Sequence, residues 1–415
     1  MREKVLLEHE VQAAEIISQK PRVLLFDAMG TGKTVSVLEG LKRVSKQVVG
    51  AYKVIVSAPN TIIDQWVQEI SLWLGWECVV ALGDIETRKL KYNHFMTTDK
   101  TQILLTNYQL IAKGELTGIK ANALVLDEGY LFRNTSTKLY HYLKESYVQA
   151  FEKVVVLSGN LHSLSDKQFY NMVDMIWPGE FIKHPKLQLK YLLGDRIISR
   201  EMKDLSENKI LPVEIPKINL IGQELSDEQK RLLAELAVKE NQAMKSADSY
   251  SSKKFYRKRL DILRSPRIDD KMLQVSPKED FLKGVLDSIK EKVVIYCPDR
   301  RFFKLVKSDL NGMDIKFSVV SGDMPLHIRN RNLNLFKLDD QVKCLLISGV
   351  GKFGLNLQNS NQLVCMGVPV KAFDLEQMLG RLNRINQDKQ VQCYIPYHLD
   401  TDEEKQAKVL EKIFS

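Results

Sequence analysis

Short apolar runs recur along the chain, and a longer polar or amphipathic stretch follows each of them. The runs are rich in β-branched residues and do not alternate with polar positions, which is typical of strands covered by helices on both faces. They form two sets, at 23–26, 54–58, 103–106, 123–126 and 154–157, and then at 293–296, 317–320, 344–348, 363–366 and 391–395. Strands that alternate with helices build mostly parallel sheets, so the pattern predicts an α/β protein with two domains.

The stretch between the two sets has a helical character. Ser226 and Gln229 form a capping-box pattern, and leucines follow them at helical spacing. A basic run comes next, with Lys253, Lys254, Arg257, Lys258, Arg259, Arg264 and Arg267. A solvated helix face and a DNA-contacting surface both produce such a run. We therefore expect a first domain at 1–185, a helical linker or protrusion at 186–275 and a second domain at 276–415.

Composition narrows the class of protein. The chain has 415 residues, of which 44% are hydrophobic and 27% charged, as in ordinary globular proteins. No apolar run approaches the ~18 residues of a membrane span, and the N-terminal residues lead into no signal-type apolar core. Five scattered cysteines without a C-x-x-C pair fit buried thiols in a reducing compartment, so we expect a cytoplasmic protein. A formal net charge of +9 is compatible with binding to nucleic acid, but it is equally compatible with many other partners.

The strongest chemical signal follows the first predicted strand, at Asp27-Ala28-Met29-Gly30-Thr31-Gly32-Lys33-Thr34. Gly30 and Gly32 allow the backbone to curl so that its N–H groups face an anion. Lys33 supplies positive charge to the β- and γ-phosphates, and the Thr34 hydroxyl is suited to hold Mg²⁺. The strict phosphate-loop pattern has glycine where this chain has Asp27.

Two further motifs complete a candidate nucleotide site. Asp127 and Glu128 end the strand at 123–126, where Asp127 is the predicted metal partner and Glu128 the predicted base that polarises the attacking water. Arg381 and Arg384 lie three residues apart near the C-terminus, so on a helix they would share a face and present two guanidinium groups to the γ-phosphate.

The chain resembles superfamily 2 helicases at this point, and within them the Snf2-like DNA translocases, over nearly its whole length. Segment 27–34 is similar to the family's DEMGLGKT, and Asp127-Glu128-Gly129-Tyr130 is similar to DEAH. Segment 377–387 matches QxxGRxxRIxQ with Asn386 in place of glycine. The other matching segments are 7–10 on the adenine side, 57–69 and 106–108 as motifs Ia and Ib, 157–161, the Snf2-specific stretch from Leu211-Pro212 to Gln229, 276–278, 322–336 and 348–357.

The resemblance implies two RecA-like domains with flanking helices, ATP and Mg²⁺ as cofactors, and duplex or branched DNA as a sequence-independent partner. It implies a monomer, and the compact length resembles bacterial or bacteriophage members. The implied nucleotide contacts are Glu10 (where the family has glutamine), Gln12 as its possible substitute, Met29, Gly30, Thr31, Gly32, Lys33, Thr34, Gly354 and Gln377. The implied nucleic-acid contacts are Pro59, Asn60, Thr106, Asn107, Ser321, Gly322 and Ser348. Trp66, Trp73 and Trp76 are expected mostly to pack in the core.

Two departures from the family pattern bear on coupling between hydrolysis and movement. Tyr130 replaces the family's histidine, and Asn160-Leu161 replaces Thr-Pro. The prediction is therefore an ATP-dependent DNA translocase that moves along duplex or branched DNA, with branch migration or fork remodelling as possible outcomes. The alternatives are an RNA or single-strand unwinding helicase and an ATP-gated DNA-binding module without motor activity.

Overall fold

The computed structural model describes residues 5–159, 161, 164–181, 183–207, 214–245, 251–349, 355–385 and 387–414. The chain divides into two compact units. The first unit contains the described residues up to 207, together with Leu355, Arg384 and Ile385. The second unit contains the remainder. No helix in the described part of the chain is long and apolar enough to cross a membrane.

The first unit is built on a seven-stranded sheet in which every pair of neighbouring strands is parallel. The order across the sheet is β3-β4-β2-β5-β6-β1-β7. The strands are β1 (Arg22–Leu25), β2 (Lys53–Ser57), β3 (Glu77–Val80), β4 (Gln102–Thr106), β5 (Ala123–Leu126), β6 (Lys153–Leu157) and β7 (Ile197–Ile198). The five runs predicted as strands in the first half are all present, while β3 and β7 were not predicted.

Helices connect these strands and cover the sheet. The central strands β2, β4, β5 and β6 are almost wholly buried, which explains their unbroken apolar sequences. The helices are α1 (Glu8–Gln19), α2 (Lys33–Ser45), α3 (Ile63–Trp73), α4 (Ile85–Thr97), α5 (Tyr108–Ala112), α6 (Lys138–Tyr142), α7 (Asp166–Ile176), α8 (Lys186–Leu193) and α9 (Met202–Glu207). Short 3-10 turns lie at Asn60–Ile62 and Gly129–Arg133.

The second unit has a six-stranded parallel sheet in the order β10-β11-β9-β12-β13-β8. Its strands are β8 (Lys217–Gln223), β9 (Val293–Tyr296), β10 (Phe317–Val320), β11 (Cys344–Ile347), β12 (Gln362–Cys365) and β13 (Gln392–His398). Its helices are α10 (Asp227–Lys245), α11 (Ser251–Arg264), α12 (Pro277–Ser288), α13 (Arg300–Gly312), α14 (Leu326–Leu338), α15 (Ala372–Leu382) and α16 (Asp402–Phe414). The predicted fold class, two mostly parallel sheets with flanking helices, is confirmed.

The segment 186–275, which the sequence predicts as a separate linker, is shared between the two units. Ile197 and Ile198 pair with β1 and extend the first sheet. Strand β8 pairs with β13 along its whole length and forms an edge of the second sheet. The half-buried residues of β8 lack a clear apolar run, so the strand leaves no strong signal in the sequence.

A buried polar network fixes the helices of the second unit around the end of β13. Lys278 Nζ lies 2.6 Å from both carboxylate oxygens of Glu403, and Glu403 also accepts the backbone N–H of His398 at 3.1 Å. The side-chain nitrogen of Gln229 lies 3.2 Å from His398 Nε2 and 2.8 Å from the carbonyl oxygen of Ile262. The network therefore links α10, α11, α12 and α16, and burial together with the charge of Lys278 lowers the pKa of His398 to about 4.

This depressed pKa predicts an acid-sensitive second unit. As the pH falls from 6.5 towards 4, the unfolded chain binds a proton at His398 that the folded chain excludes, so stability is lost at up to about 1.4 kcal/mol per pH unit. Calorimetric unfolding of the full chain across this range should show a smaller loss for His398→Gln than for wild type. The exposed His94→Gln should behave as wild type. Equal pH dependence in wild type and His398→Gln would contradict this assignment.

Candidate functional site

The carboxyl ends of parallel strands meet at one edge of the first sheet, and the predicted chemistry of this unit lies there. Strand β1 leads into the glycine-rich loop, and β5 leads into Asp127 and Glu128. Strand β6 lies between these two strands and ends at Leu157, directly before Ser158. At the usual spacing of neighbouring strands, the ends of β1 and β5 are about 10 Å apart. This is a distance that the phosphates and metal of a nucleotide can bridge.

The loop after β1 has the backbone conformation of an anion-binding turn. Gly30 and Gly32 have φ values of +81° and +82°, a region that favours glycine, and Gly32 caps α2, which begins at Lys33. A side chain at position 32 would also collide with Glu10, because its Cβ would lie 2.0 Å from Glu10 Oε1. Lys33 Nζ donates to the carbonyl oxygens of Asp27 and Ala28 at 2.8 and 2.9 Å. The loop thus curls around the lysine at the N-terminus of a 13-residue helix, where anions are stabilised.

Asp27, which replaces the usual first glycine, is buried and paired with Arg200. The Arg200 guanidinium donates to both carboxylate oxygens of Asp27, at 2.9 Å from Nε and 2.5 Å from Nη2. Its remaining nitrogen, Nη1, donates to the carbonyl oxygen of His9 at 2.8 Å. The main chain adds a bond from Ala28 N to the Arg200 carbonyl oxygen at 2.9 Å. Arg200 therefore fixes the start of the phosphate loop to α1. Sequence reasoning missed it, because a lone arginine about 170 residues downstream has no local signal.

Helix α1 contacts the same loop through two further side chains. His9 Nε2 lies 2.7 Å from the carbonyl oxygen of Thr31, and Glu10 is fully buried beside Gly32. Gln12, the predicted substitute for Glu10, is exposed and donates to Glu8 at 3.2 Å. The structure thus brings Glu10 to the loop and turns Gln12 away from it. Met29 also belongs to the loop, and its methyl group packs where a side chain at Gly159 would lie.

The acidic pair after β5 is held in one orientation. Asp127 Oδ1 accepts the backbone N–H of Glu128 at 2.7 Å, and Asp127 Oδ2 accepts the indole N–H of Trp66 at 2.9 Å. Glu128 has φ +57° and ψ +47°, a left-handed conformation that costs a residue with a side chain about 1–2 kcal/mol. Strain of this kind concentrates at functional sites. Trp66 packs in the core as predicted, but its bond to Asp127 was not predicted.

The residues at this edge fit a magnesium ion. Asp127 provides a carboxylate, and Thr34 lies in the first turn of α2. The Ser158 hydroxyl, at the end of the strand between them, is buried and has no hydrogen-bond partner in the described part of the chain. Carboxylate, hydroxyl and phosphate oxygens, often with water, are the ligands that Mg²⁺ takes. Asp127 and Thr34 are therefore the residues suited to hold the ion together with a nucleotide.

The predicted nucleic-acid residues of the first unit follow β2 and β4 at the same edge. Asn60 is exposed and Pro59 half-buried, whereas Thr106 and Asn107 are buried. Asn107 Nδ2 donates to Asn60 Oδ1 at 2.8 Å, so the two loops are joined. Of these residues, Asn60 is the most accessible to a ligand.

The predicted nucleic-acid residues of the second unit follow the neighbouring strands β10 and β11. Ser321 and Gly322 come directly after β10, and Ser348 comes directly after β11, with its N–H bonded to the carbonyl oxygen of Val320 at 3.1 Å. Arg329 donates to the Gly322 carbonyl oxygen at 2.7 Å and fixes this loop. Positions 354, 160, 211, 212 and 386, which the sequence also singles out, lie outside the described residues.

The prediction that Arg381 and Arg384 share one face of a helix is wrong. Helix α15 ends at Leu382, and Asn383 has a non-helical ψ of +88°. The helix stops there because its last carbonyl groups bond elsewhere. The Arg381 carbonyl oxygen accepts Leu357 N at 3.0 Å, and the Leu382 carbonyl oxygen accepts Gln387 Nε2 at 3.2 Å.

The three predicted nucleotide contacts around this helix end have different surroundings. Arg381 is buried within α15, whereas Arg384 follows the helix and donates to the Leu355 carbonyl oxygen at 3.4 Å. Gln377 is also buried in α15, and its Nε2 has no partner among the described residues. Contacts of Arg381, Arg384 and Gln377 with a nucleotide remain a prediction.

The basic run on α11 and the turn that follows it is largely neutralised within the second unit. Lys258 pairs with Asp269, Arg259 with Glu240, Arg264 with Asp261 and Asp299, and Arg267 with Glu279 and Asp309. Lys254 and Arg257 are exposed and have no ion-pair partner in the described parts of the chain. Much of the run therefore stabilises the junction of α11 with its neighbours, and a smaller part is available to a polyanion.

Comparisons with known proteins find two domain families that match this chain. The SNF2-related domain matches residues 9–271, and the helicase conserved C-terminal domain matches residues 277–386. The RNA polymerase-associated protein RapA of Haemophilus influenzae is 24% identical over 97% of this chain and 46% of its own length. The CHD3-type chromatin-remodeling factor CHR7 of Arabidopsis thaliana is 23% identical over 94% of this chain and 35% of its own length.

Two more relatives extend the comparison. The uncharacterized ATP-dependent helicase YqhH of Bacillus subtilis is 22% identical over 98% of this chain and 78% of its own length. A solved Sulfolobus solfataricus SWI2/SNF2 ATPase core in complex with dsDNA is 19% identical, covers 98% of this chain and 91% of its own, and gives a TM-score of 0.46. The chain spans less than half the length of RapA and CHR7. Since the SNF2-related domain covers more than half of the sequence, the chain belongs to the SNF2-related family of superfamily 2 helicase-type ATPases.

Proposed function

We propose that the chain hydrolyses ATP with Mg²⁺ and uses the energy to translocate along duplex or branched DNA. The observation that carries this proposal is the shared edge of the first sheet. The glycine-rich loop, the acidic pair and the joined loops at Asn60 and Asn107 all follow strands that end there. A nucleotide site and a nucleic-acid surface on one edge are what an ATP-driven motor requires.

The proposed roles of residues in the first unit are supported by the contacts of the loop and the acidic pair. Loop N–H groups and Lys33 bind the β- and γ-phosphates, and Glu10 and His9 hold the loop from α1. Thr34 and Asp127 would hold Mg²⁺, which would supply positive charge to the phosphate oxygens. Glu128 orients the attacking water and accepts its proton. From the C-terminal half of the chain, the resemblance assigns Arg384, with Arg381, to the γ-phosphate, and Gly354 and Gln377 to the nucleotide.

The proposed polyanion is DNA, bound mainly through its phosphates. Asn60, Ser321, Gly322 and Ser348 offer small polar groups suited to backbone contacts, which carry little sequence information. One relative at 22% identity is named chromodomain-helicase-DNA-binding protein 1. Phosphate binding of this kind is sequence-independent and weakens steeply with salt. Branch migration and fork remodelling are possible consequences of such movement.

One observation favours a second candidate, an ATP-gated DNA-binding module without motor activity. Tyr130, where the family has histidine, is buried, and the Arg133 guanidinium lies over its ring at 5.6 Å. Tyrosine lacks the imidazole ring that lets histidine take up or release a proton near neutral pH. Such a module would bind ATP and DNA but would not move strands.

The first prediction separates phosphate binding from hydrolysis. Lys33→Ala should weaken ATP binding and abolish turnover, because the lysine supplies the charge that faces the β- and γ-phosphates. Glu128→Gln should keep ATP affinity near that of wild type and reduce turnover by about 10²–10⁴-fold, since it removes only the proton acceptor. Calorimetry and phosphate release measure the two effects, and wild-type turnover in Glu128→Gln would show that the base is a different group.

The second prediction tests the pairing of Arg200 with Asp27. Arg200→Lys keeps the charge but cannot donate to Asp27 and to the His9 carbonyl oxygen as a planar fork does. We expect KM for ATP to rise about tenfold and kcat to change much less. A tenfold rise corresponds to the loss of one charge-assisted hydrogen bond. Arg196→Lys is the matched control, because Arg196 pairs with Glu180 and stacks on Trp177 and Phe181 away from the loop. An equal effect of the two substitutions would contradict a specific role for Arg200.

The third prediction concerns the nucleic acid. Turnover of the full chain should rise with duplex or branched DNA and less with RNA, and movement should displace the third strand of a triplex. Lys254→Gln with Arg257→Gln should raise the DNA concentration for half-maximal stimulation and lower its salt dependence, more than Lys258→Gln with Arg259→Gln does. The second pair is the control because its charges are already neutralised.

The alternatives give different results in the same assays. Stimulation by RNA alone would assign the chain to an RNA helicase. DNA-stimulated turnover without strand displacement or branch movement on any substrate would favour the ATP-gated module.

A further inference from the structure

Two aromatic side chains reach Asp127 from two different helices. Trp66, on α3, donates its indole N–H to Asp127 Oδ2 at 2.9 Å. Tyr108, the first residue of α5, donates its hydroxyl to the Asp127 carbonyl oxygen. Both side-chain contacts therefore act on the residue suited to hold the metal.

The same two segments carry the predicted nucleic-acid contacts of the first unit. Asn60 begins the 3-10 turn that runs directly into α3, one and a half turns before Trp66. Asn107 caps α5 through the backbone N–H of Leu110 and directly precedes Tyr108. The bond from Asn107 Nδ2 to Asn60 Oδ1 joins the two segments at their outer ends. Asp127 is thus connected to Asn60 through α3 and to Asn107 through the start of α5.

We propose that Trp66 and Tyr108 are positioning residues that couple nucleic-acid binding at the Asn60–Asn107 pair to the orientation of Asp127. The proposal rests on the proposed function. A ligand that contacts Asn60, or breaks its hydrogen bond to Asn107, displaces the starts of α3 and α5. Trp66 and Tyr108 transmit that displacement to the carboxylate and the main chain of Asp127. Outer partners that orient a metal ligand typically change metal affinity or activity by about 10–100-fold when they are lost. Because coupling between two binding sites is reciprocal, magnesium nucleotide also raises affinity for DNA.

The chain provides a matched control for the indole bond. Trp73 lies on the same helix as Trp66 and also donates its indole N–H to a carboxylate, that of Glu69, at 3.0 Å. The Trp73 bond is therefore also an indole-to-carboxylate hydrogen bond, but Glu69 does not belong to the acidic pair. Phenylalanine at either position keeps an aromatic ring and removes the donor. Tyr108→Phe removes only a hydroxyl.

The first experiment measures magnesium-dependent ADP binding to the full chain by calorimetry, with and without a duplex. Mg²⁺ should increase the affinity of the wild-type chain for ADP. Adding the duplex should lower the Mg²⁺ concentration at which half of this increase is reached. Trp66→Phe should raise that concentration about tenfold or more and abolish the effect of the duplex. Tyr108→Phe should weaken the effect of the duplex, and Trp73→Phe should match wild type within about twofold. Equal behaviour of Trp66→Phe and Trp73→Phe would overturn the proposal.

A second readout uses the wild-type protein and does not depend on turnover. The chain has four tryptophans, so labelling with ¹⁵N-tryptophan gives four indole N–H resonances, which single Trp→Phe substitutions assign. The Trp66 resonance should shift when a duplex is added without nucleotide and again when magnesium ADP is added without duplex. If Trp66→Phe does not fold, the other three substitutions assign Trp66 by elimination. If the protein binds the duplex but the chemical shift of the Trp66 indole N–H does not change, the proposal is overturned.

The two levels of the account fail in different ways. A wild-type chain whose turnover no nucleic acid stimulates would overturn the proposed function. A stimulated wild type, with Trp66→Phe and Tyr108→Phe stimulated to the same degree, would overturn the coupling alone.

Discussion

The ion pair between Arg200 and Asp27 is the contact on which the organisation of the first unit depends. It joins three segments that are distant in the chain, namely the phosphate loop, the residues after β7 and the carbonyl group of His9 in α1. Asp27 is 1% exposed, and a buried carboxylate without a cation is unstable, so the loop and Arg200 are fixed together. In the same loop, Gly30 and Gly32 make the turns that lead into α2, which begins at Lys33. Protein contacts therefore hold the loop in this shape, which reduces the ordering cost of binding a nucleotide.

The sequence was sufficient to predict the fold class and most of the strands. Buried parallel strands such as β2 and β5 require unbroken apolar runs, and such runs are visible without a structure. The strands that were not predicted are those without such runs. Strand β7 has two residues, and β8 and β3 lie at edges of their sheets and are only partly buried. The glycine-rich loop and the acidic pair were predictable because each is a local pattern with a definite strand before it.

The contacts that orient the candidate site could not be predicted in this way. Arg200 meets Asp27, and Trp66 meets Asp127, across 173 and 61 residues of chain, and neither pairing leaves a local pattern. Helical periodicity also gave a wrong result at Arg384, because the helix ends where Leu357 and Gln387 take its carbonyl groups. The basic run on α11 gave a mixed result for a similar reason. Its acidic partners, such as Glu240 and Asp309, lie on other elements and neutralise charge that appears free in the sequence.

Hydrogen exchange tests most directly whether the carboxyl-end edge of the first sheet binds the nucleotide, as we propose. Exchange of the full chain should be measured with and without ADP and magnesium, peptide by peptide. The account predicts slower exchange in the peptides that contain residues 27–34 and 127–129, with little change at the α4 surface, because the loop N–H groups and the acidic turn become bonded to the nucleotide. Unchanged exchange at both segments, at an ADP concentration that saturates binding, would contradict the claim.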